Sequence, residues 1–350
     1  MVGVPGIESL VAPMRVDGFA NTKIIRVAAA AGRVALLGSG VSTRGAKTMN
    51  QELFAIHPAY TDRLIDSNAQ SVIRERHRRP EAYVQNAAGE RFSVDSPAAR
   101  RQSGAVAVLP LWGTLGQHQD WYTVTSTEQF AHDFRKLDAA PGVGTIVILT
   151  DSPGGNATYT LECSDCVYAA RKRNQTRIIQ AISSLSASAA EWIGTSAHER
   201  VATPSGTVGS IGVLSMYFDQ SRLLKDAGVD VAIERTPNLK ARFSGIEPAT
   251  EEMRAHMKVR NQQAYHQFVS AVARNRGVTT STVIERYGNG ETMTASEAFS
   301  AGYVDAIGTV DEVVADAVAG RRTTGRKRTA SLSPEALARR RRLALVEVEI

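Results

Sequence analysis

The stretch Val143-Gly144-Thr145-Ile146-Val147-Ile148-Leu149-Thr150-Asp151-Ser152-Pro153-Gly154-Gly155 decides how this chain folds. Its first half is a short apolar run rich in β-branched residues, the pattern of a strand buried on both faces in a parallel sheet. Asp-Ser-Pro-Gly-Gly then reads as a sharp turn, with a helix expected to start near Asn156. Proline fixes φ and removes a donor, whereas paired glycines let the backbone bend and approach a ligand closely. Adjacent amides at such a strand end, beside the positive end of a helix, make a candidate oxyanion hole. An ordinary strand-to-helix turn has the same composition, so the functional reading depends on a nucleophile downstream.

The wider chain supports an α/β fold on right-handed crossovers. Strands are predicted at residues 105–111, 143–149, 177–182, 200–202, 212–214 and 229–234. Helices are predicted at 127–137, 158–173, near 189, at 221–227 and from about 250 to 275. Glu251 and Glu252 mark the start of the long helix and Gly277 its end. Thr294 and Glu297 have capping-box spacing for a helix that stops near Gly302. Residues 1–48 are expected to be a weakly ordered extension, and Met49 is an alternative start. Residues 50–68 are read as a short helical segment and 74–103 as a polar, Arg-rich linker. The compact domain is expected at 104–320, with a basic tail at 321–350.

Charge is unevenly distributed. The chain has 41 Lys plus Arg against 35 Asp plus Glu over 350 residues, but residues 1–48 hold six basic and two acidic residues, and 321–350 nine and three. The region between is net acidic, so the basic pI belongs to the ends and does not indicate a nucleic-acid-binding fold. The tail is read as a solvated segment, with contact to nucleic acid the lesser alternative. Cys163 and Cys166 are the only cysteines. Without a second CxxC or nearby His they are read as reduced thiols rather than zinc ligands. No apolar run approaches the ~20 residues of a membrane span, and residues 24–37 are interrupted by Arg26 and Arg33. No metal or nucleotide cofactor is implied.

A second apolar strand, residues 178–182, leads into Ser183-Ser184-Leu185-Ser186-Ala187-Ser188-Ala189-Ala190-Glu191-Trp192. Small residues between a strand and a helix permit a tight turn that exposes a serine hydroxyl, as in a nucleophile elbow. Several serines compete for that place, and a plain Ser-rich turn is the alternative. A nucleophilic serine needs a base. No His lies between His198 and His256. His198, His256 and His266 are expected on solvated surfaces. The remaining possibility is a lysine, with Lys240 and Lys225 as candidates that composition alone does not separate. A lysine working near neutrality must shed about 3 units from its ordinary pKa, on the order of 4 kcal/mol.

These stretches together resemble the signal peptide peptidase A family of Ser-Lys proteases, and within it the head-maturation proteases of lambda-like phages. The resemblance covers roughly residues 104–315. It rests on AVAVLPLWGTL (105–115), DSPGG (151–155), SASAAEWIGTSA (186–197), GTVGSIGVL (206–214) and TASEAFSAGYVDAIGTVDEV (294–313), in that order, and FAIHPAYTDRL (54–64) is similar to the lead-in of phage members. The resemblance implies a Clp protease/crotonase-like superfold of repeated β-β-α units with a mainly parallel sheet. It implies Ser188 as nucleophile, Lys240 as base, the amides of Gly155 (or Gly154) and Ala189 as oxyanion hole, and Ser210 as a group orienting the lysine. Ala189-Ala190-Glu191-Trp192 departs from the usual Gly-Gly-aromatic run but keeps its first two residues small.

The expected activity is therefore peptide-bond hydrolysis, on scaffold or capsid proteins in a phage prohead or host cytoplasm, by a ring-shaped homo-oligomer that processes itself. The alternatives are a cellular signal-peptide-peptidase-like protease, a Clp-type Ser-His-Asp peptidase, a crotonase-like acyl-CoA enzyme and an inactive capsid-assembly protein. The lack of a suitably placed His disfavours the Clp-type reading.

Overall fold

The computed structural model describes residues 25–30, 33–38, 53–56, 79–100, 103–120, 122–173 and 175–322. The chain divides into two compact units, Met1–Met49 and Asn50–Ile350. In the first, β1 (Ile25–Ala30) and β2 (Arg33–Gly38) pair as an antiparallel hairpin.

The second unit contains all the candidate residues. Its first described strand is β3 (Leu53–Ile56), followed by β4 (Tyr83–Gln85), β5 (Arg91–Ser93) and a single helical turn, α1 (Pro97–Arg100). The lead-in is therefore not helical at 53–56. The apolar run there forms a strand because sheet edges are available to it: it pairs antiparallel with two other strands of the unit. The rest of the expected helical segment, 57–68, lies outside the described residues. Nor is 79–100 a plain linker, since β4 pairs antiparallel with the central sheet and Val84 is buried in the core.

Three long parallel strands form the centre: β6 (Ala105–Gly116), then, after β7 (Thr125–Ser126) and α2 (Thr127–Asp138), β8 (Val143–Asn156), and, after α3 (Thr160–Arg173), β9 (Arg177–Ala187). Val106 stands opposite Thr145, and Ile146 opposite Ile178. Alternating side chains serve two cores, as the twofold period of a strand requires. Ala105, Ala107, Leu109 and Leu111 pack with Phe130 and Phe134 of α2 and Val167 of α3. Val106 and Val108 face the opposite layer.

After β9 come the short helix α4 (Ala189–Gly194), β10 (Glu199–Ala202), β11 (Thr207–Gly209), β12 (Leu214–Ser215) and α5 (Ser221–Asp226). The long α6 (Glu251–Arg276) has Thr250 accepting from the Met253 amide at its start and Gly277 at φ +66° at its end, as its sequence predicts. Next are α7 (Thr280–Arg286), β13 (Thr292–Thr294), α8 (Ala295–Ser300), β14 (Ala306–Ile307) and α9 (Val310–Val318). Thr294 and Glu297 form the expected capping box. Phe268 and Val272 of α6 pack on Ile182 and Trp192, and Val313 and Val314 of α9 on the layer of Val106. The sheet runs β13-β11-β9-β8-β6-β4-β5, so the α/β class with a mainly parallel centre stands.

Four local expectations change, and the first is the strand expected at 212–214, which is confined to Leu214–Ser215. Residues 229–234 form no strand. β8 does not turn at Asp151-Ser152-Pro153 but continues to Asn156, and β9 continues through the serines to Ala187. Ladder partners on both sides, β6 for one and β11 for the other, keep these segments extended despite their turn-forming composition.

Candidate active site

Ser188 sits at the junction of β9 and α4, at φ 56° and ψ −118°. Such a conformation costs a non-glycine residue on the order of 1–3 kcal/mol and persists only when the surroundings enforce it. Here three backbone hydrogen bonds do so. The Ser188 amide donates to the Gly209 carbonyl (2.8 Å), and the Ser188 carbonyl accepts from the Glu191 (2.8 Å) and Trp192 (3.1 Å) amides. The side chain is fully buried, and its Oγ has no hydrogen-bond partner among the described residues. A buried hydroxyl without a partner costs free energy in a resting protein. A hydroxyl that must attack a substrate fits that condition.

The parallel ladder brings the glycine strand to the same place. Ser152 of β8 stands opposite Ser186 of β9, so Gly154 falls level with Ser188 as β9 leaves the sheet. Helix α4 packs against β8. Gly154 has φ +92°, and its amide donates to Ser152 Oγ (3.1 Å), which itself donates to the Gly113 carbonyl (2.6 Å). At Gly155 an added Cβ would lie 1.9 Å from the Leu115 carbonyl oxygen, so this position tolerates no side chain. Ala189, first residue of α4, has no acceptor within its helix for its amide.

Ser210 follows Gly209, whose register opposite Ala187 sets it beside the elbow. Its φ is 55°, and its amide donates to the Glu291 carbonyl (2.7 Å). Ser188, Ser210 and the two glycines thus converge at one end of the sheet.

Lys240 is not brought into hydrogen-bond distance of Ser188. It is exposed in the loop that follows α5, with its amide donating to the Pro237 carbonyl (3.0 Å). That loop is tied elsewhere: Arg242 pairs with Glu252 of α6 (2.9 Å), Arg235 with Glu247, and Phe243 lies against Tyr217 and His256. Lys225 is exposed on α5. His198 is half-buried rather than a plain surface residue. Its Nδ1 accepts from the Ile178 amide (3.1 Å) near the start of β9, the end opposite Ser188, which removes it as a base. Burial and the nearby Arg171 guanidinium lower its pKa. His256 and His266 are exposed.

Beneath the elbow lies a buried polar network that sequence reasoning missed. Arg200 and Glu191 are both fully buried and joined bidentately, Arg200 Nη2 donating to both carboxylate oxygens at 2.7 Å. Arg200 also donates to Gln180 Oε1 (2.7 Å) and the Tyr303 carbonyl (2.8 Å), and its guanidinium covers the Tyr303 ring at 4.4 Å. Ser186 Oγ donates to Glu191 and accepts from Gln180 Nε2 (3.0 Å). The available signal was Gln180 in IIQAI and Glu191 in AAEWI, polar residues inside apolar runs that need buried partners.

β12 borders a groove of ≈740 Å³ whose lining includes Ser215, Tyr217, Met253, Met257 and Tyr265. Among the described residues no group of three or more His, Cys, Asp or Glu is placed to hold a metal, and no helix is long and apolar enough to cross a membrane.

Comparison with known proteins matches residues 170–323 to the model of peptidase family S49, a span that includes Ser188, Ser210 and Lys240. Head-tail preconnector protein GP5 of Enterobacteria phage P21 is 27% identical over 187 residues, 52% of this chain and 37% of that protein. Protease 4 of Salmonella typhi is 27% identical over 226 residues, 65% of this chain and 36% of that one. Capsid assembly protease C of Escherichia phage lambda is 23% identical over 204 residues, 57% and 46%. This chain therefore spans less than half the length of these relatives. A ClpP1 mutant from Listeria monocytogenes aligns with 59% of this chain and 94% of its own at 14% identity, with a TM-score of 0.37. The resemblance read from the motifs is thus met: the chain is similar to the signal peptide peptidase A family, peptidase family S49, through bacterial and phage relatives alike.

Proposed function

We propose that this protein is a serine endopeptidase that works by acyl transfer. The observation that carries the reading is Ser188 itself, strained, fully buried and with an unpartnered hydroxyl at a strand-to-helix junction. Ser188 Oγ attacks a peptide carbonyl, and the negative charge rests on the amides of Ala189 and of Gly155 or Gly154. The Gly154 amide is given to Ser152 Oγ, and Gly155 stands in register with Leu115 of β6 and Ala55 of β3. Lys240 takes the serine proton and returns it to the leaving amine, with Ser210 orienting it. Water then hydrolyses the acyl-enzyme.

Lys240 reaches Ser188 by one of two routes, closure of its own loop or delivery from a second copy in a homo-oligomeric ring. The similarity to capsid assembly protease C favours scaffold and capsid proteins of a phage prohead as substrates.

Fluorophosphonate labelling, read with cleavage of co-expressed capsid and scaffold proteins, tests this. Wild type should take one label at Ser188 and cut, whereas Ser188→Ala should do neither. Lys240→Ala should not cut. Mixing the two variants restores cutting only if the lysine crosses between copies. A Lys240→Ala chain that still cuts places the base elsewhere. No label and no cutting in wild type would favour an assembly protein.

A further inference from the structure

β3 (Leu53–Ile56) fills the row that β9 vacates. β9 pairs with β8 as far as Ser152 opposite Ser186, then leaves the sheet at Ser188. From Gly154 onward that edge of β8 is taken by β3, antiparallel, with Ile56 opposite Gly154, Ala55 opposite Gly155 and Phe54 opposite Asn156. The other edge of β3 pairs antiparallel with β12, Phe54 opposite Leu214 and Leu53 opposite Ser215. β3 therefore lies end to end with β9 and runs toward it. Its last residue, Ile56, meets the end of β9 at the level of Gly154, where Ser188 stands.

A strand held on both edges by main-chain pairing, with one end at a nucleophile, is the arrangement of an extended peptide bound for cleavage. Gly154 and Gly155 suit it, because residues without side chains let a second backbone approach closely. The free hydroxyl of Ser188 is the second, independent sign of a reacting group at this point.

Resting on the peptidase reading above, we infer that the cleft between β8 and β12 binds extended polypeptide, that Leu53–Ile56 is its first occupant, and that the bond following Ile56 is the site of self-cleavage. Ser188 Oγ adds to the Ile56 carbonyl carbon. The bond to the His57 nitrogen breaks, and that nitrogen leaves as an amine with the proton taken from Ser188. Water then hydrolyses the ester, giving the Ile56 carboxylate and free Ser188. Until residues 53–56 leave, they hold the cleft against other chains, so self-cleavage precedes work on any second substrate.

Intact mass and N-terminal sequencing of the purified full chain test this. Wild type should lose residues 1–56 and begin at His57, and Ser188→Ala should stay whole. Ala55→Pro removes one donor from the strand. Its self-cleavage should slow about tenfold, the effect of losing one ladder hydrogen bond, while fluorophosphonate labels its Ser188 faster than in the uncut chain. A wild-type chain that labels at Ser188 yet keeps residues 1–56 overturns this inference and leaves the peptidase reading standing. A cut at this bond in Ser188→Ala also overturns it. If wild type is neither labelled nor cut, the peptidase reading fails and the inference with it.

Discussion

Replacing Arg200 by Met should destabilise the protein by about 3–5 kcal/mol, the cost of leaving one member of a buried ion pair without its partner. Both side chains of the Arg200–Glu191 pair are wholly buried. The guanidinium donates four hydrogen bonds, two to Glu191 and one each to Gln180 and Tyr303. Methionine fills much of the same volume but satisfies none of these acceptors, and Glu191 and Gln180 are fully buried. At roughly 2–4 °C per kcal/mol for a unit of this size, melting followed by circular dichroism should fall by on the order of 10 °C. Glu191 lies on the helix that begins after Ser188, so labelling at Ser188 should slow as well. The double variant Glu191→Leu/Arg200→Met removes both charges and should recover most of the loss, since apolar replacement of a buried pair is often neutral or stabilising. An Arg200→Met protein that melts within about 2 °C of wild type would refute the argument that the unpaired charge is buried. A double variant no more stable than the single one would assign the cost to the orphaned Gln180 and Tyr303 acceptors and to lost packing on the Tyr303 ring instead.

Gly155→Ala should lower soluble yield and melting temperature sharply, because the new Cβ meets the Leu115 backbone at 1.9 Å and the β6–β8 ladder must part to admit it. Gly104→Ala is the control: nothing lies within 4 Å of its Cβ, so only the strain of φ +66° remains, about 1–2 kcal/mol. Acid should destabilise the fold through His198. Its folded pKa lies below the ordinary 6.5, so the unfolded chain binds a proton that the folded one refuses, and stability falls as pH drops through 6.5 toward the lowered value. Protonation also removes the Nδ1 lone pair that accepts from the Ile178 amide. Urea unfolding at pH 7.5 and 5.5 should show this loss in wild type and less of it in His198→Gln.

Much of the frame was legible because local chemistry and tertiary contacts agree there. The apolar runs of β6, β8 and β9, the capping box at Thr294 and Glu297, and the Gly277 stop all rest on short-range rules that the packed protein keeps. The Ser188 elbow was legible only as one serine among several, until the resemblance singled it out. What was misread shares one cause: strand formation is decided by the neighbours. Leu53–Ile56 passes for helix alone and becomes a strand once the β8 and β12 edges accept it. Ser152-Pro153-Gly154 and Ser183 to Ser186 have turn composition, yet the ladder keeps both extended. Residues 229–234 have strand composition, yet they join no ladder and stay a loop.

The sequence by itself therefore determined the fold class, the central strands, the long helix with its caps and the family resemblance, because periodicity, capping and motif order are local properties. Only the tertiary structure decided that Gly154 stands level with Ser188, that Glu191 and Arg200 bury a shared charge beneath the elbow, that Lys240 remains exposed in its loop, and that β3 lies between β8 and β12. Those four depend on register and burial between segments distant in the chain, which no residue carries alone.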